Sequence, residues 1–160
     1  MLIGIYGLAM NTDSNIGSGS GESMRLIIGG AFQGKTEYAK RAYPEAERLN
    51  GLHERIREDV RQKVCVLEKT EKDTARTEAT TLTNKELQTQ LEEYWITLLE
   101  EKIRKNPQLC ILCDEVGMGV VPMQAWERIY REVTGHVCIY LAGRAESVER
   151  IVCGCSQRIK

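Results

Sequence analysis

The chain has 160 residues, 22 of them Lys or Arg and 23 Asp or Glu, which suits one domain with a substantial core. Its nearly balanced charge argues against a broad nucleic-acid surface or a basic membrane patch, and 6% aromatic content argues against a stacking platform for single strands. Small molecules are the expected partners, with no nucleic acid and no membrane.

The first ten residues, MLIGIYGLAM, are too few to span a bilayer and follow no basic segment, so they read as neither anchor nor signal. A cytoplasmic protein is expected. Residues 11–23, NTDSNIGSGSGES, are small, polar and rich in Gly and Ser, the composition of a flexible linker. Residues 1–23 are thus expected to be a flexible extension or an upstream start, with the folded domain over 24–160.

MRLIIGG (24–30) reads as a buried strand ending in glycines, and GKTEYAKRAY (34–43) as a helix stopped by Pro44. Residues 45–62 place Leu49, Leu52, Ile56 and Val60 on one helical face. KVCVLE (63–68) has the β-branched centre of a strand. Residues 69–84 lack periodicity and read as a surface loop. A Thr83 or Asn84 cap then opens a helix carrying Leu87, Leu91, Tyr94, Leu98 and Ile103, bounded by Pro107. QLCILCDE is a second buried strand. Residues 122–145 predict a helix with Pro122 in its first turn and a bend at Gly135. A last strand is expected over 147–154, and CSQRIK closes the chain. Strands alternating with helices predict an α/β fold with a mainly parallel sheet and helices on both faces.

Six cysteines include a C-x-x-C at Cys110 and Cys113 and a C-x-C at Cys153 and Cys155. The pleat turns Cys110 and Cys113 to opposite faces, so small buried hydrophobes are favoured over a four-cysteine metal site.

GGAFQGKT contains the phosphate-loop pattern Gly29-x-x-x-x-Gly34-Lys35-Thr36 between a strand and a helix. Gly29 and Gly34 permit torsions that turn amide N–H groups inward, and the helix beginning near Lys35 adds its positive end. The expected nucleotide site is Gly29, Gly30, Ala31, Phe32, Gln33, Gly34, Lys35 and Thr36. Lys35 reaches the β- and γ-phosphates of ATP or GTP, and Thr36 offers its hydroxyl to Mg²⁺. Asp114 and Glu115 end the other strongly apolar strand. Adjacent strand residues point opposite ways, so both cannot reach the same spot; Asp114 is expected at Mg²⁺ and Glu115 at the substrate or attacking hydroxyl.

IIGGAFQGKT, the stretch DEVGMGVVPMQAWERIYREVTG and the tail VERIVCGCSQRIK together resemble the adenosylcobinamide kinase/adenosylcobinamide-phosphate guanylyltransferase family. The matching positions are Glu115, Val116, Gly117, Gly119, Val121 and Pro122, then Tyr130-Arg131-Glu132 with Gly135, and Gly154 with Lys160. The resemblance implies a three-layer, RecA-like P-loop NTPase fold and a homo-oligomer. It also implies phosphorylation of the aminopropanol hydroxyl of adenosylcobinamide, followed by GMP transfer from GTP through a guanylyl-histidine. The only candidate for that histidine is His53, flanked by Arg55 and Arg57 but lacking the family's following Pro and Trp. Asp114 stands where the family usually has Asn. Arg131 is either a phosphate clamp for the nucleotide or a surface cation. A nucleotide-binding regulatory or assembly protein, or a P-loop kinase for another small alcohol, are the other readings of these residues.

Overall fold

The computed structural model describes residues 23–73 and 83–160, the side chains of 68–73 excepted. The readings made for residues 1–22 and 74–82 lie outside the described residues.

Five strands form one sheet: β1 (Arg25–Gly29), β2 (Arg48–Leu49), β3 (Cys110–Asp114), β4 (Ser147–Val152) and β5 (Cys155–Arg158). The order is β2-β3-β1-β4-β5, with every pairing parallel except the antiparallel β4–β5 edge. Four helices accompany them: α1 (Lys35–Ala42), α2 (Leu52–Asp73), α3 (Asn84–Lys105) and α4 (Ala125–Arg144). None of the described helices is long and apolar enough to cross a membrane.

Strand alternation divides the core between the two faces of the sheet. Leu26, Ile111, Cys113 and Val148 pack with side chains of α2, α3 and α4, whereas Ile27, Cys110, Leu112 and Ile151 pack with Ala39 of α1. Each fully buried side chain of this kind contributes about 1.5–3 kcal/mol. Cys110 and Cys113 do lie on opposite faces, both buried. Cys153 and Cys155 are exposed instead, so the four thiols do not converge and the C-x-C is not a buried pair.

Several elements differ from their sequence expectation. Residues 63–68 belong to α2 rather than to a strand. Val64 and Leu67 continue the spacing of Ile56 and Val60 and pack on the same core, so tertiary burial overrides a β-branched run too short to settle its own period. The expected helix over 45–62 is divided: Arg48 and Leu49 pair with Cys110 and Ile111 as β2, and helix begins only at Leu52, after Asn50-Gly51. In α3 the buried ridge is Leu87, Leu91, Trp95, Leu99 and Ile103, while Tyr94 is exposed. The last strand turns at Cys153-Gly154 and returns as β5, whose four residues are all exposed and carry no apolar signal. Pro122 precedes α4, whose N-cap is Gln124, and the carbonyls of Pro122 and Met123 accept from the Arg128 side chain.

Candidate functional site

The parallel strands end together at Gly29, Asp114 and Val152, and the chain leaves β1 toward β2 and β3 on one side while β4 lies on the other. Such a switch in strand order opens a crevice at the carboxyl ends of the strands. A cleft of ≈ 470 Å³ lies there, walled by residues 31–37, by residues 50, 51, 53 and 54, and by Leu112 and Asp114. Two of these walls are the first turns of α1 and α2. Both helices therefore bring the positive ends of their dipoles to the same space, which suits an anion.

The phosphate loop is shaped by its neighbours. A Cβ on Gly29 would stand 2.4 Å from the carbonyl oxygen of Ile151 in β4, so only glycine permits the β1–β4 approach. Gly34 caps α1 in the left-handed region, with φ 84°. Gln33 ties the loop to the β4–β5 turn twice: its Oε1 accepts from the Cys153 N–H at 2.6 Å and its carbonyl from the Gly154 N–H at 2.9 Å. Phe32, at the loop's apex, projects fully into solvent.

Lys35 is buried beneath this loop, and its ammonium group has three acceptors: Gly30 O at 2.6 Å, Gly29 O at 3.3 Å and Asp114 Oδ1 at 2.6 Å. Three N–H bonds meet three acceptors, which completes the lysine's hydrogen bonding without a ligand. Asp114 is also the contact point of His53. The Asp114 N–H donates to His53 Nδ1 at 3.1 Å, and His53 Nε2 lies 3.6 Å from Asp114 Oδ2. Because Nδ1 accepts, the proton of a neutral His53 ring sits on Nε2, facing the carboxylate. The structure thus gathers Lys35, Thr36, Asp114 and His53 around one cleft, from three different elements.

Glu115 and Arg131 are not among the residues lining that cleft. Glu115 turns to Arg150 of β4, whose Nε lies 3.0 Å from Oε1 and whose terminal nitrogen donates to Oε2 at 3.1 Å, a forked ion pair. Arg131 donates to the carbonyls of Gly117 at 2.6 Å and Val120 at 3.4 Å. Behind the strand end, a hydrogen bond with the Cys138 thiol and then burial push the Cys113 thiol far up, so it is inert as a thiolate. Burial likewise raises the Tyr130 phenol to about 12. Sequence reasoning missed Gly51 and Glu54 as cleft residues, although the Asn50-Gly51 dipeptide is a turn signal that marks where α2 must start. It also missed Arg150, for which no local signal exists.

The donor set suits a hard divalent cation: the Asp114 carboxylate and the Thr36 hydroxyl are oxygen ligands lining the same cleft, and Lys35 occupies Oδ1 only. A family model described as cobinamide kinase / cobinamide phosphate guanyltransferase matches residues 46–159, most of the chain, with the phosphate loop just ahead of the matched span. No curated protein matches the chain.

Proposed function

This chain belongs to the cobinamide kinase / cobinamide phosphate guanyltransferase family of cobalamin biosynthesis, and we propose that it is an NTP-dependent kinase for the aminopropanol hydroxyl of adenosylcobinamide. The observation that carries this reading is the meeting of Lys35 and Asp114 in a cleft faced by two helix N-termini. In this reading the sheet is that of a three-layer, RecA-like P-loop protein, with α1 on one face and α2, α3 and α4 on the other.

The nucleotide phosphates enter over α1, accepting from loop amides, and Lys35 exchanges its loop carbonyls for phosphate oxygens. The acceptor hydroxyl then attacks the γ-phosphorus as the bond to the bridging oxygen breaks, and nucleoside diphosphate leaves. The transition state is loose, so positioning and neutralisation matter more than a strong base, and the hydroxyl proton passes late to an oxygen of the transferred phosphoryl group and from there to water. Thr36 and Asp114 are the residues that would hold Mg²⁺, which supplies charge to offset the phosphates.

The test is incubation of the protein with ATP or GTP labelled in the γ-phosphate and adenosylcobinamide. Label on the corrinoid is expected. Nucleotide binding without any phosphorylated corrinoid would overturn the kinase reading.

His53 supports the family's second activity because it faces the same cleft. For Nε2 to attack the α-phosphorus of GTP, the neutral ring must carry its proton on Nδ1, giving up the contact with the Asp114 N–H. The Nε2 lone pair then forms the bond to phosphorus as the bond to pyrophosphate breaks, and attack by the corrinoid phosphate on the guanylyl-histidine breaks the P–N bond and restores the neutral ring. A GMP adduct that is trapped in the native protein and lost in His53→Ala is the expected result. Absence of the adduct would confine the protein to phosphoryl transfer.

A further inference from the structure

Among the described residues, the segment joining β3 to α4 gathers several of the exposed large apolar side chains. Met118, Val120, Val121 and Met123 are 76%, 95%, 65% and 95% exposed, four large apolar side chains within six positions. Clusters of this kind mark interaction sites more often than chance. This one is also held in shape. At its root, Glu115 donates its N–H to Gly29 O at 3.0 Å and pairs its carboxylate with Arg150. Along its length, Arg131 takes the carbonyls of Gly117 and Val120, and Arg128 takes those of Pro122 at 3.0 Å and Met123 at 2.5 Å. The arginines satisfy the backbone, so the loop keeps its order while its apolar side chains stay in water.

We infer that this loop is the seat of the corrin ring of the acceptor. The inference rests on the kinase reading above, and two observations choose the occupant. A cobinamide must bring one hydroxyl to the γ-phosphate beside Asp114 while its large macrocycle, edged with methyl groups, rests nearby. The loop leaves the sheet at Asp114, which itself lines the cleft, so its chain continues directly from the cleft wall. The surface is also free of side-chain charge from Val116 to Met123, which fits a ring whose edge carries methyls and neutral amides. Phe32, exposed on the phosphate loop, supplies a further apolar side chain at the mouth of the same cleft.

The test compares the native protein with Val120→Ser and with the double variant Val120→Ser, Met123→Ser, substitutions at exposed positions that leave the core untouched. Cobinamide affinity is read from its visible absorption band, nucleotide affinity from a fluorescent analogue, and oligomeric state by sedimentation. The expected result is cobinamide binding weakened about tenfold for each buried side chain removed, with nucleotide affinity unchanged. Unchanged cobinamide affinity in the double variant would overturn the inference. So would a change in sedimentation with cobinamide affinity intact, which would make the loop a contact between copies. A proportional loss of nucleotide affinity would reassign the loop to the nucleotide and also overturn it. A native protein that binds nucleotide but no cobinamide would instead sink the kinase reading itself.

Discussion

At the scale of single residues, Lys35 and Asp114 hold each other in reserve. Their 2.6 Å contact occupies the ammonium group that, in the proposed kinase, a phosphate must recruit. Asp114→Ala should therefore leave Mg²⁺-free nucleotide affinity no weaker than native while lowering turnover by about 100-fold or more, checked by fluorescence titration and steady-state kinetics. Arg131→Ala should raise the KM for cobinamide and leave that for nucleotide unchanged, because its guanidinium holds the carbonyls of Gly117 and Val120 rather than lining the cleft. Tyr43 gives a pH dependence. Burial and the Glu149 carboxylate that its hydroxyl bonds raise its pKa to about 12. Unfolded chains ionise tyrosine near pH 10, so between about pH 10 and 12 only the unfolded state gains from deprotonation. Stability should therefore fall across that window in urea titrations, and Tyr43→Phe should flatten the decline. The glycine-rich loop over 29–36, between β1 and α1, was legible as a loop because its spacing is local. The Glu115–Arg150 fork was not, since 35 positions separate its members and only the order of β3, β1 and β4 brings them together.

At the scale of elements, the helix starts follow short-range chemistry. Thr83 forms a capping box with Glu86: Thr83 Oγ1 accepts from the Glu86 N–H at 3.2 Å, and Glu86 Oε2 accepts from the Thr83 N–H at 2.8 Å. Those bonds from Thr83 hold the Glu86 carboxyl below its usual range, so the stabilisation is present above the ordinary Glu pKa and fades as the pH falls through the folded value. Thr83→Ala should cost about 1 kcal/mol in urea unfolding near neutral pH. The cap and the ridge residues Leu87, Leu91 and Ile103 were readable in order; Trp95 and Leu99 were not, because Tyr94 and Leu98 fit a helical period nearly as well. The Arg48–Leu49 strand was illegible for a different reason. Two residues carry no period, and their state is set by pairing with Cys110 and Ile111, about sixty positions away.

At the scale of the whole molecule, the cleft depends on how closely three strands approach. Gly29→Ala would drive a methyl group into the Ile151 carbonyl, forcing β1 and β4 apart. The expected loss is about 2–4 kcal/mol of stability, measured by urea unfolding, together with weaker nucleotide binding because the loop springs from that point. Contiguous residues and local periods were enough for the α/β alternation, the glycine-rich loop over 29–36, the carboxylate that ends β3 and the resemblance that the family match bears out. It took the tertiary structure to bring His53 to Asp114, to turn Glu115 away to Arg150, and to hold the loop carbonyls on Arg128 and Arg131 while Met118, Val120, Val121 and Met123 stay exposed. The first two contacts join residues distant in the chain, and they exist only once sheet order and burial have put the elements side by side.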